Sequence, residues 1–161
     1  MAQLTATHKG LITGSLMIIV SLLLFYGLHL PENGNSQFIV WSIYVGGVVW
    51  SLLDFNKKAM AGASFKDYFQ EGFKAFIVVS LFMAVFTFVF YKLNPQILEE
   101  TIKKNDILVQ QQGDHTAAEI EENSNRLRDI FMPMMLATKT ILNLLLGAIT
   151  TVIGSMLLKG R

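Results

Sequence analysis

The chain has 161 residues, of which 52% are hydrophobic, 16% charged and none cysteine. Soluble domains average about 25% charged residues, so this composition excludes an ordinary water-soluble globule. Disulfide and thiolate chemistry are excluded with the cysteines, and a formal net charge of +1 gives nucleic acid no footing.

Residues 11–30 form the first long uncharged run, behind Lys9. A secretory signal peptide would have an apolar core of about 7–15 residues and a small-x-small cleavage site. This run is longer and ends Gly27-Leu28-His29-Leu30-Pro31, so it is expected to be a retained membrane span. Gly10 and Gly14, four apart, share a helix face and permit close approach of a neighbour. Residues 31–36, with Asn33-Gly34, read as a turn that returns the second span, residues 37–53, antiparallel beside the first. Trp41 and Trp50 sit near its two ends, where indole rings prefer the headgroup zone. Gly46, Gly47 and Ser51 leave a groove for a packing partner, and Asp54, Lys57 and Lys58 stop the span.

In the link that follows, Ser64 and Asp67 are spaced as a capping box. Phe65, Phe69, Phe73 and Phe76 then recur at helical spacing, as in an interfacial helix leading into the third span. That span, residues 73–93, has 17 uncharged residues between Lys74 and Lys92. Its apolar surface faces every side, which only lipid tolerates; about 20 helical residues cross the ~30 Å hydrocarbon layer. Phe82, Phe86 and Phe90 make a packing or lipid-facing ridge.

Residues 94–129 form the sizeable polar segment, with eight acidic and four basic side chains, net −4. Asn94-Pro95 suits a helix start and Gly113 a stop. Thr116 and Glu119 are spaced as a second capping box. The stripe Ile97, Leu98, Ile102, Leu108 and Val109 precedes the stop; Ile120, Leu127, Ile130 and Phe131 form another after it. The expectation is an amphipathic helical hairpin outside the bilayer, its stripes facing each other, the membrane or a partner. The fourth span lies within residues 134–158, with Pro133 kinking or restarting the helix. Asn143, Gly147, Thr150 and Gly154 form a small and polar stripe suited to the helix seam. Lys139 snorkels to the interface if the span begins near Thr140. If it begins near Met134, Lys139 lies over a turn deep, with Asn143 one turn further on the same face, a candidate intramembrane polar site.

The architecture expected is all-α: a four-helix antiparallel membrane bundle with an extramembrane helical hairpin between its third and fourth helices. Lys9, Lys57, Lys58, Lys66, Lys159 and Arg161 lie in short segments on one side, while the 31–36 turn has no basic residue. The positive-inside rule then places both termini in the cytoplasm and residues 94–129 in the periplasm. His8, His29 and His115 show no i, i+4 pairing, and there is no His-Glu-x-x-His, Gly-x-Ser-x-Gly or phosphate-cradling glycine loop. No catalytic residue, metal or cofactor is therefore assigned. The expected function is a non-enzymatic scaffold or accessory subunit that docks a protein partner, or a second copy, through residues 94–129. The alternative is a small oligomeric transporter or lipid-binding carrier using Lys139 and Asn143.

The run Phe65-Lys66-Asp67-Tyr68-Phe69-Gln70-Glu71-Gly72-Phe73, then Phe86-Thr87-Phe88-Val89-Phe90-Tyr91, then Asn94-Pro95 and a Gln/Glu-rich helix, resembles a family of small bacterial four-span proteins. It is the family called domain of unknown function 4199, mostly from Bacteroidetes. The resemblance covers about residues 11–158. It implies an inner-membrane protein and supplies no activity, cofactor or catalytic residue. It also implies an accessory role beside polyprenyl-phosphate-type glycosyltransferases.

Overall fold

Thr5 starts the first helix: its hydroxyl oxygen accepts the His8 amide, a donor that a helix N-terminus leaves without an internal partner. In the computed structural model, which describes residues 4–30, 35–59, 63–113 and 116–159, α1 runs Ala6–Leu22. It continues as a π-helical segment, Leu23–Gly27. The helical path ends before His29, whose φ of 52° lies in the left-handed region, where histidine is found more often than most residues. The helix that contains the first expected span thus covers residues 6–27, beginning before residue 11 and ending before residue 30. Lys9, which reads as a flank, lies inside the helix. Of the expected turn, residues 31–34, with Asn33-Gly34, lie outside the described residues.

Helix α2, Gln37–Lys58, passes its expected end at residue 53. Lys58 Nζ donates to Asp54 Oδ2 at 2.7 Å across one turn, and cations suit the C-terminal end of a helix dipole. Ahead of α3, Phe65–Leu93, the capping box forms: the Ser64 amide donates to Asp67 Oδ2 at 2.8 Å, and the Asp67 amide donates to Ser64 Oγ at 3.4 Å. The phenylalanine-rich lead and the third span are one helix.

Asn94 is not the cap residue of the next helix, although its Oδ1 accepts from Gln96 Nε2 at 3.0 Å. Its Nδ2 donates to Phe90 O at 2.8 Å, finishing α3, and Pro95 occupies the cap position of α4, Gln96–Gln112. Gly113, at φ 76°, ends α4 in a left-handed turn. The Thr116 amide then donates to Glu119 Oε2 at 2.7 Å, completing the second capping box, and α5 runs Ala117–Leu158. Its 42 residues include Pro133 and extend about 63 Å, twice the hydrocarbon thickness. The proline removes one backbone donor yet neither ends nor restarts the helix. No strand occurs among the described residues.

Four helices, Ala6–Gly27, Gln37–Lys58, Phe65–Leu93 and Ala117–Leu158, are long and apolar enough to cross a membrane. The chain divides into two compact units, Met1–Met83 with Thr140–Arg161, and Ala84–Lys139. In the first, glycines let helices meet. A Cβ on Gly10 would lie 2.8 Å from Ala75 O, and one on Gly14 would lie 2.7 Å from Phe82, so numbering on α1 and α3 rises together. Gly147 abuts Tyr44 and Phe76, and Gly154 abuts Leu52, so α5 runs parallel to α2 and antiparallel to α3. Gly47 abuts Thr13, and Lys9 meets Asp54, so α1 and α2 run oppositely. The four helices alternate in direction.

This unit is apolar outside and polar within. Leu11, Ile12, Leu16, Ile19, Leu81, Ile141, Leu145, Ile149 and Ile153 are exposed, while Lys9, Thr13, Ser51, Ser80, Asn143, Thr151 and Ser155 are buried. In water such an exterior would drive association; in lipid it is the solvated face. Within the second unit, α4 and the start of α5 have the opposite sense. Ile102, Tyr91 and Phe131 are buried, the two rings meeting edge to face, while Glu99, Glu100, Lys103, Lys104, Glu121 and Glu122 are exposed.

Candidate functional site

Each of the four alternating helices brings a polar group to one end of the first unit, where α1 and α3 begin and α2 and α5 finish. Lys9 is only 2% exposed. Its Nζ lies 2.5 Å from Asp54 Oδ2 and 3.7 Å from Glu71 Oε1. Isolated, a buried ammonium would face a desolvation cost of several kcal/mol; here carboxylates of two other helices offset it. Ser51 Oγ donates to Glu71 Oε1 at 3.4 Å. Lys58 adds a second ammonium to Asp54. Close by, Tyr68 OH donates to Asn56 Oδ1 at 2.6 Å, and the Tyr68 and Phe55 rings meet edge to face, fixing α3 against α2.

The fourth helix contributes hydroxyls. Thr151 packs against Gly72, next to Glu71, and Gly154 against Leu52, next to Ser51. Thr151 and Ser155 are wholly buried, and their hydroxyl oxygens have no hydrogen-bond partner among the described residues.

Nearer the middle of the bundle lies a second polar node. Tyr44 OH donates to the main-chain oxygen of Asn143 at 2.8 Å and lies 3.2 Å from Ser80 Oγ. Ser80 can donate to the phenol oxygen, so both hydroxyl protons are used.

Of the residues singled out in the sequence, Gly10, Gly14, Gly47, Gly147 and Gly154 all lie at close helix approaches. Gly46 faces open space, with nothing within 4 Å of a Cβ built on it. The Thr150 hydroxyl donates back to Leu146 O at 2.7 Å. The buried register on α5 is Asn143, Gly147, Thr151 and Ser155, one residue beyond the expected stripe in its second half. Asn143 is buried and Lys139 half-buried. In the sequence alone Lys9 and Asp54 read as charges at the ends of spans. A signal pointing inward was present. Lys9, Thr13 and Met17 recur every four residues, as do Glu71, Ala75, Val79 and Met83, and in each series every member but Glu71 is buried.

In the second unit Arg128 donates from Nη2 to Glu99 Oε2 at 3.1 Å and from Nε to Oε1 at 3.4 Å. This fork holds the Glu99 carboxyl below its ordinary range. Ser124 Oγ donates to Asp106 Oδ1 at 2.7 Å, a further link between α4 and α5. A shallow groove there is lined by Val109, Glu119, Glu122, Asn123 and Arg126. No group of three His, Cys, Asp or Glu gathers at any one point among the described residues.

Four bilayer-length apolar helices around a polar interior define a multi-pass membrane protein. Within that class, the chain belongs to the family described as Protein of unknown function (DUF4199), whose model matches residues 9–160. No curated protein and no solved structure matches it.

Proposed function

We propose that the protein is a non-enzymatic accessory subunit of the bacterial inner membrane. Residues 94–129 would lie in the periplasm, both termini in the cytoplasm. The segment would dock a protein partner with a basic surface. The observation that supports this is the outer side of α4. Ile107 and Leu108 are 54% and 60% exposed, although Ile102 on the same helix is buried. They lie in a segment of net charge −4. An apolar pair rimmed by like charge resembles a docking patch with a polar rim. The partner class implied by the family resemblance is an enzyme that transfers sugars on lipid-linked carriers.

Cross-linking at position 110 in intact cells tests the reading. A specific partner should be lost from Ile107→Asp/Leu108→Asp protein and from Glu121→Lys/Glu122→Lys protein, while the expression level is kept. Equal cross-linking in all three, or cross-linking to a second copy alone, rejects it. Orientation is tested by Gly113→Cys, which should react with an impermeant maleimide in cells whose outer membrane has been permeabilised. A second reading, a small oligomeric transporter or lipid-binding carrier, is favoured by one observation: charged groups of α1, α2 and α3 converge on a buried ammonium.

A further inference from the structure

The charges gathered at the bundle end, Lys9, Lys58, Asp54 and Glu71, neutralise one another. Those on the outer side of α3 do not. Lys66, Gln70 and Lys74 recur every four residues, so they share one helix face, and all three are exposed. Neither lysine has an ion-pair partner among the described residues. The acids of this stretch are engaged elsewhere. Asp67 Oδ2 accepts from the Ser64 amide at 2.8 Å and from its hydroxyl at 2.7 Å, and Glu71 meets Lys9 and Ser51. Helices α1 and α5, which abut α3 at Ala75 and Gly72, bring no acid: residues 4–27 and 140–159 contain none. The exposed side of α3 in this unit thus carries two ammonium groups against one carboxylate, an excess of one positive charge. Lys74 stands about 12 Å further along the axis than Lys66, on an otherwise apolar exterior continued by Leu81, which is 62% exposed. A helical side chain leans toward the start of its helix, so Lys74 leans over Gln70 toward the headgroup layer. Beside this row the rings of Phe65, Phe69 and Phe73 stack at 5.9 and 6.1 Å.

From this we infer that Lys74, Gln70 and Lys66 bind the phosphate of an anionic phospholipid, of the phosphatidylglycerol class, whose acyl chains lie along Phe69, Phe73 and Leu81. The chemistry selects it. The exterior of this unit is apolar, so lipid is what covers the face. Ammonium and amide N–H groups are donors that phosphate oxygens accept, and the charged ones bind most strongly. A phosphodiester carries one negative charge, which balances the excess. A zwitterionic lipid brings its own ammonium and leaves that excess standing. A free phosphate would satisfy the donors and leave the phenylalanine rings without an occupant. The inference rests on the membrane class of the protein and is independent of the docking and transport readings.

The test uses the full chain purified in a non-ionic detergent. Phosphatidylglycerol, phosphatidylcholine and glycerol phosphate are titrated in turn, and bound molecules are counted by native mass spectrometry. One phosphatidylglycerol should bind saturably, about tenfold tighter than phosphatidylcholine, and glycerol phosphate should not be retained. Lys74→Gln should weaken phosphatidylglycerol binding about tenfold, the factor for losing one charge-assisted contact. Lys66→Gln should weaken it less, and Lys74→Arg should keep it. Lys57→Gln removes an exposed charge from the end of α2 and should leave the affinity at the wild-type value. All four substitutions alter exposed side chains, so unfolding midpoints without lipid should match wild type. Equal affinity for the two lipids, or wild-type affinity in Lys74→Gln, would overturn the inference. So would an equal loss in Lys57→Gln, which would mean a diffuse positive field, or glycerol phosphate binding as tightly as the lipid.

Discussion

The first unit and the part of the second built from α4 and the start of α5 use one helical period and opposite solvents. In the first, leucine and isoleucine face outward and Lys9, Ser51, Thr151 and Ser155 face inward. In the second, Ile102 and Phe131 are enclosed and the charges of α4 and of early α5 lie outside. The contrast teaches that burial in this protein cannot be read from polarity. Where lipid is the solvent, apolar surface gains nothing from being enclosed. Cohesion comes instead from close backbone approach, as at Gly47 and Gly147, and from polar pairs that lipid cannot satisfy. In water the familiar hydrophobic rule returns, and the two pairs joining α4 to α5, Arg128–Glu99 and Ser124–Asp106, lie at the surface or part-buried.

The sharpest way to break the contrast is to neutralise the same residue type in each unit. Lys9→Met removes the ammonium between two carboxylates and should destabilise the detergent-solubilised protein by about 3–5 kcal/mol, the cost of stranding a buried ion-pair partner. Lys103→Met, on the exposed side of α4, should stay within about 0.5 kcal/mol of wild type. Similar unfolding midpoints for the two would show that Lys9 is not sealed from water.

A smaller effect separates two glycines of the first unit. Gly147→Leu drives a side chain into Tyr44 and Phe76 and should cost about 1–3 kcal/mol through overpacking. Gly46→Leu meets open space and should be nearly neutral in detergent. Reversal of that order in thermal melts would mean that α2 turns its other face to the bundle.

The smallest effect belongs to the second unit. Glu99 has a lowered pKa, so its pairing with Arg128 contributes fully above the ordinary carboxylate range and is lost as pH falls through the lowered value. Glu99→Gln should therefore narrow the gap to wild type in unfolding midpoint between pH 7 and about pH 3. An unchanged gap across that interval would discard the pair as a stabilising contact.

The four spans were legible because lipid imposes length. A helix must present about 20 apolar residues to cross, whatever its neighbours. The second capping box, Thr116 with Glu119, was legible for a similar reason, since a cap is satisfied within one turn. The ends of the spans were not. Lys9, Asp54 and Lys58 mark boundaries only if each charge stands alone, and here they neutralise one another across helices. Asn94 illustrates the same ambiguity locally: its side-chain amide donates to the helix behind it, while its oxygen accepts from Gln96 at the start of the one ahead. On α5, a stripe of 143, 147, 150 and 154 and one of 143, 147, 151 and 155 differ by about 100° of rotation at their second half. Only the partner helices, through Gly72 and Leu52, select between them. The candidate site was invisible for this reason. Its residues come from α1, α2, α3 and α5, and no spacing within one segment links them.

Burial of Lys9 also orders the birth of the protein. A nascent chain emerges with this lysine long before Asp54 and Glu71 have been translated. Until they arrive its ammonium lacks the partners that accompany its burial, so it should stay in contact with water. Chains stalled before Asp54 should leave Lys9 open to aqueous acylating reagents, and released full-length chains should shield it. Maturation would then include a late sealing of this lysine by carboxylates made after it.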